Sequence, residues 1–215
     1  MNDAMWDLIE AERRSLADLL EDLTPEQWEA PSLCTEWRVR DVAAHVAMTP
    51  AGAPNTRTMV VALARTRGHL WAAGRDVAIA YADRAYTQLV GELRRGAAAR
   101  SKPVFVVADN ILPDLVVHGQ DIAVPLGLHR AIPPAAGRVA LQRLWTMGWP
   151  FHARRRLAGL SLRATDADWS AGDGAELRGT AADLLLLISG RTAAVGDRLQ
   201  GPGAALLRPR AVATA

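Results

Sequence analysis

From Met5 to Leu23 the apolar residues Met5, Leu8, Ile9, Leu16, Leu19, Leu20 and Leu23 recur at three- and four-residue steps, with acids and arginines between them. That period puts one apolar stripe on a helix and cannot line one face of a strand. It returns downstream in segments punctuated by proline. Thr24-Pro25-Glu26-Gln27 reads as a capped helix start, with proline at the first helical position and the glutamine of a capping box, and that short helix carries Trp28. Val39 to Met48 reads as a helix with Val42, His45 and Val46 on one stripe, closed by Pro50 and Pro54. Residues 56–81 have helical spacing through Met59, Val60, Leu63, Leu70 and Trp71, and 83–95 through Ala85, Leu89 and Leu93. Val104 to Val107 suits either a short extended piece or a loop. Pro113 opens a further helix to Val124, stopped by Pro125 and Gly127. About four long helices joined by polar connections predict a helical bundle.

The period changes after residue 130. A helix follows Ile132-Pro133-Pro134 and runs to Trp145. Leu160-Ser161-Leu162-Arg163-Ala164-Thr165 then alternates with period two, and Glu176-Leu177-Arg178 is a second strand candidate. Gly172-Asp173-Gly174 between them is turn chemistry. Thr180 caps a buried helix from Ala181 to Ser189, with Gly190 placed to end it. The expectation is mainly α: a bundle over 1–130 and a small α+β domain over 131–215.

The 215 residues carry a formal net charge of +2 despite a pI near 9.2, and Lys102 is the sole lysine. Phosphate binding needs positive residues gathered on one face. Here they alternate with acids, and the one dense run, Arg154-Arg155-Arg156, reads as a linker. No nucleic-acid partner is expected. The longest aliphatic run, Leu184–Ile188, is far too short to span a bilayer. Asp3, Asp7, Glu10 and Glu12 interrupt any secretory leader, so a soluble cytoplasmic protein is expected, as a monomer or homodimer. One cysteine, Cys34, excludes an internal disulfide and a zinc site built from cysteines, and reads as a small space-filler.

Two segments carry chemistry. In PDLVVHGQD, Asp114 precedes His118 by four residues, and in DVAAHV, Asp41 precedes His45 by the same step. Residues i and i+4 face the same way on a helix, so Asp114 and His118 can chelate one ion. His45, mid-helix on an apolar stripe, is the natural third ligand, since zinc sites often use three histidine or carboxylate ligands. On spacing alone, hydrogen-bonded core histidines, and acids that favour the first turn of a helix, are the commoner reading. His69 and His129 lie in polar or Pro/Gly-flanked contexts, His152 beside the arginine run is expected to be exposed, and Trp37 and Trp149 suit core packing or a pocket lining.

LTPEQWEAPSLCTEWRVRDVAAHVA together with DLVVHGQDIAVPLGL resembles the mycothiol-dependent maleylpyruvate isomerase-like proteins of the DinB-like superfamily of metal-binding four-helix bundles. GWPFHARRRLAGLSLRATDADWSAGDGAELRGTAADLLLLISGR resembles that family's small C-terminal domain. The resemblance implies His45, Asp114 and His118 as ligands of a divalent metal, most often zinc, and mycothiol as thiol cosubstrate. It implies an isomerase or S-transferase in which the metal activates the thiol toward a small electrophile; the alternative is a non-catalytic member that binds metal or ligand. This chain has Asp114 where the isomerases have Glu, one methylene longer. Arg38 stands where the family often has a Ser or Thr cap, and Asp41 then reads as a structural first-turn acid. Asp121 suits a group orienting His118 from behind, or helix packing. Arg191, after a helix end, is the candidate for a substrate anion.

Overall fold

The computed structural model describes residues 3–52, 54–100, 102 and 107–207. They form two compact units, Met1–Leu128 and His129–Ala215. The architecture is mainly helical, a bundle followed by a small α+β region, as the periodicity predicts. Among the described residues no helix is long and apolar enough to cross a membrane.

The first unit contains α1 (Asp3–Glu21), α2 (Pro25–Glu29), α3 (Val39–Met48), α4 (Thr56–Arg65), α5 (Leu70–Tyr81), α6 (Tyr86–Arg95) and α7 (Ile111–Ala123). The bundle is α1, α3, α6 and α7: α1 packs on α6 and α7, and α3 packs on the same pair. Its core includes Ile9, Leu16 and Leu20 of α1, Leu89 and Leu93 of α6, and Leu112 and Ile122 of α7, all at most 1% exposed. Removing such side chains from water is the main driving force for assembly. The capping box at α2 forms as expected: Gln27 N donates to Thr24 Oγ1 at 3.3 Å, and Thr24 N donates to Gln27 Oε1 at 2.9 Å.

Arg13 is the largest of the fully buried side chains. Its Nη1 donates to the carbonyls of Gly96, Ala97 and Ala99 at 3.3, 3.1 and 2.8 Å. These belong to the C-cap residue of α6 and the chain just beyond it, so Arg13 ties α1 to the end of α6. Burial pushes the guanidinium down to about 10.

Residues 56–81 are two helices, not one. Arg67 at φ 52 and Gly68 at φ 83 turn the chain between α4 and α5. The resulting hairpin packs on α3 through α5, around Met48, Ala62, Ala73, Val77 and Ala78. A short 3-10 turn, Ala108–Asn110, leads into α7, so the helix begins two residues before Pro113. Of the ambiguous run 104–107, residues 104–106 lie outside the described residues, and Val107 is exposed.

The second unit contains α8 (Pro134–Thr146), α9 (Ala153–Arg156), β1 (Gly159–Ala164), β2 (Ser170–Ala171), β3 (Gly174–Gly179) and α10 (Ala181–Ile188). The sheet order is β2-β1-β3, with β1 antiparallel to β2 and parallel to β3. The Gly172–Gly174 segment therefore does not close a hairpin between the two predicted strands. It carries the chain past the start of β1, where a Cβ at Gly172 would meet the Leu160 carbonyl oxygen and one at Gly174 the Gly159 carbonyl oxygen. Only glycine fits there, at φ +84 and +125. Helix α10 packs on α8 and the sheet, and Thr180 Oγ1 accepts from Asp183 N at 3.2 Å as its N-cap. The arginine run is not a linker: it forms α9, and Arg156 Nη2 donates to the carbonyls of Leu187 and Ile188, capping the end of α10.

Candidate metal centre

The N-cap of α3 is Arg38, which has no side-chain acceptor to offer the first turn. Asp41 supplies the cap in reverse: its Oδ2 accepts from Arg38 N at 2.9 Å and Nε at 3.0 Å, and its Oδ1 from Arg38 Nη2 at 2.9 Å. The carboxylate is 2% exposed and committed to these donors. His45, one turn on, reaches Asp114 of α7 instead. Helix α7 begins with Ile111, Leu112 and Pro113, all buried, so Asp114 is the first polar side chain of the helix. It shares a face with His118 one turn later, and α3 and α7 pack together.

Packing brings three residues to one place. His45 Nε2 lies 3.4 Å from Asp114 Oδ2, and His118 Nε2 lies 3.4 Å from Asp114 Oδ1. One ligand atom from each of the three falls within 4.8 Å of those of the others. A charge-assisted N–H···O contact is shorter, about 2.7–2.9 Å. Two ligand atoms of a tetrahedral ion with bonds of about 2.0–2.2 Å are roughly 3.3–3.5 Å apart. The cluster gathers two imidazoles and a carboxylate, with His45 and His118 facing different oxygens of Asp114. His118 is 14% exposed and Asp114 42%, so the site is open on one side.

The electrostatics are those of a site whose charges depend on one another. Burial disfavours ionised Asp114, but the charges and hydrogen bonds of His118 and His45 outweigh it and hold the carboxyl well below the usual carboxylate range. Burial likewise disfavours charged His118, yet the Asp114 charge, with hydrogen bonds to Asp114, Asp121 and Cys34, raises it well above the ordinary imidazole value.

Behind the ring, His118 Nδ1 is 2.9 Å from Asp121 Oδ2, and Asp121 is completely buried. Cys34 Sγ donates to the same Oδ2 at 3.1 Å and lies 3.6 Å from His118 Nδ1. The cysteine therefore lies at the cluster. Trp37, in the same loop, places its ring 5.5 Å from that of His45 and 6.3 Å from that of His118, so it lines the cluster. The ring centroids of His45 and His118 are 4.9 Å apart. Arg191 belongs to the second unit, where its Nη1 donates to Ser189 O at 2.9 Å. His69, His129 and His152 are exposed and outside both clusters. Trp149 is 61% exposed, not core.

A helical bundle with an internal His-Asp-His cluster, followed by a small α+β region, defines the class. Residues 9–123, more than half of the chain, match the family described as mycothiol maleylpyruvate isomerase N-terminal domain, and the chain belongs to that family. Its fold is that of two solved structures of the mycothiol-dependent maleylpyruvate isomerase. One is a histidine-to-alanine mutant, at TM-score 0.57 and 14% identity. The other structure gives 0.54 and 17%. Each alignment covers 93% of this chain and 92% of the other. No curated protein matches the chain in sequence.

Proposed function

We propose that the chain is a divalent-metal-dependent, mycothiol-using isomerase or S-transferase, with His45, Asp114 and His118 as the metal ligands. The observation that carries the reading is that His45, Asp114 and His118 each offer a ligand atom within 4.8 Å of those of the other two, on two packed helices. Two imidazoles and one carboxylate suit zinc and leave a fourth position for an outside ligand. The ion would supply the charge that favours thiolate over thiol in a bound cosubstrate.

The chain's own residues have definable parts. Asp114 supplies the negative charge and balances an incoming cation. Asp121, hydrogen-bonded to Nδ1, fixes His118 with Nε2 toward Asp114. Trp37 gives the cluster an aromatic wall. No side chain of the protein need act as nucleophile, because the small-molecule thiol is one.

Calorimetry of mycothiol against metal-loaded and chelator-treated protein tests the reading. The expected result is binding to the loaded form alone, followed by turnover of an electrophile such as maleylpyruvate. Metal binding without thiol binding would favour a non-catalytic member of the family.

A further inference from the structure

Three ligands and Asp121 account for the metal reading, yet the chain's only cysteine touches the same group from a loop more than eighty residues away in sequence. We propose that Cys34 is a positioning residue for His118: its thiol holds the buried Asp121 carboxylate in the one orientation that fixes the His118 ring with Nε2 toward Asp114 and His45. The proposal rests on the metal reading above.

Four observations support it. First, Asp121 Oδ2 is a shared acceptor, 2.9 Å from His118 Nδ1 and 3.1 Å from Cys34 Sγ. An ionised carboxylate has only lone pairs, so the Nδ1 contact requires the proton on Nδ1. In the neutral ring that leaves the Nε2 lone pair on the Asp114 side. Second, Asp121 is 0% exposed, and a buried carboxylate is held by its donors because water cannot replace them. Third, the loop bearing Cys34 is tied to α7 at this residue: Leu33 N donates to the Asp121 carbonyl at 3.0 Å. Within the loop, Cys34 N donates to Ser32 Oγ at 3.1 Å, Ser32 N to Trp37 O at 3.0 Å, and Trp37 N to Cys34 O at 3.0 Å. The thiol is thus presented by a preformed turn.

Fourth, the spacing separates this group from a second ligand set. Cys34, His118 and Asp121 lie close enough to hold an ion. But the separations of 2.9 and 3.1 Å at Oδ2 are hydrogen-bond lengths, whereas a tetrahedral edge is about 3.3–3.5 Å, and longer where sulfur is a ligand. Cys34 therefore acts on the metal through Asp121 and His118 and does not replace a ligand.

The test compares wild type with Cys34→Ala, Cys34→Val (similar bulk, no donor) and Cys34→Ser (donor kept). Two readouts are taken: Co(II) affinity by chelator competition, and the His118 Nδ1–H proton resonance of metal-free protein. The expected result is about a tenfold loss of affinity in the Ala and Val variants, at the low end of what removing a direct orienting partner costs. Cys34→Ser should stay within about threefold of wild type, and the metal-free melting temperatures should remain close together. The Nδ1–H signal should be sharp in wild type and Ser, and broadened or lost in Ala and Val. Equal affinities in all four proteins overturn the inference while leaving the metal reading intact, as does an equal loss in all three variants. If wild type binds no Co(II), the metal reading fails and the proton signal decides alone: unchanged in Ala and Val, it overturns the positioning role.

Discussion

Helices α3 and α7 each carry an aspartate four residues before a histidine, and the two turns have opposite fates. In α3 the acid is buried in the cap, bound by the backbone and guanidinium of Arg38, and only His45 reaches the cluster. In α7 the acid follows three buried apolar residues, finds no such donor, and faces two imidazoles. Equal spacing thus permits chelation without determining it. The donor available three residues upstream decides. Arg38 supplies one; Ile111, at the same offset from Asp114, does not.

The largest expected effect comes from the α7 turn. His118→Ala or Asp114→Ala should lower metal affinity about a hundredfold or more, measured by metal content after dialysis, since each removes one of the three proposed ligands. Asp41→Ala should do the reverse. Metal content should stay near wild type, but the fold should lose about 1–3 kcal/mol by denaturant titration, because a buried acceptor of the helix cap is gone. If Asp41→Ala strips the metal and Asp114→Ala does not, the contrast is wrong.

A smaller effect is expected with pH. His118 is raised in the folded state, so its contribution is complete below the unfolded imidazole value of about 6.5 and is lost as pH rises through the folded one. Asp114 is depressed, so its contribution is present above the unfolded value of about 3.9 and is lost only as pH falls through the lower folded one. Metal-free protein should therefore lose thermal stability as pH rises above about 6.5, whereas metal-loaded protein should gain, because protons compete less for the ligands. In Asp114→Asn the metal-free trend should flatten. Smallest of all, Asp114→Glu should keep the metal within about tenfold of wild type, since the donor type is unchanged and one added methylene can be absorbed on the open side of the site.

Much of this was legible in the sequence because it is local. The Val39–Met48 helix, the Thr24 and Thr180 caps and the i,i+4 face of Asp114 and His118 are fixed by residues within one or two turns. The split at Arg67 escaped because a non-glycine residue takes the left-handed conformation, and Gly68 was the only signal of it. Strand β2 is two residues long, too short for alternation to register. It is also what allows β1 and β3 to run parallel across the Gly172–Gly174 segment. Cys34 escaped for a different reason. Its partners His118 and Asp121 are long-range, joined to it by folding of the Ser32–Trp37 turn onto α7, and no periodicity encodes that contact.

The most direct test is the metal content of protein purified without a histidine tag, in wild type and His118→Ala. About one divalent ion per chain is expected in wild type and almost none in the variant. Wild-type protein that stays metal-free after incubation with zinc, or a His118→Ala variant that holds as much metal as wild type, would contradict it.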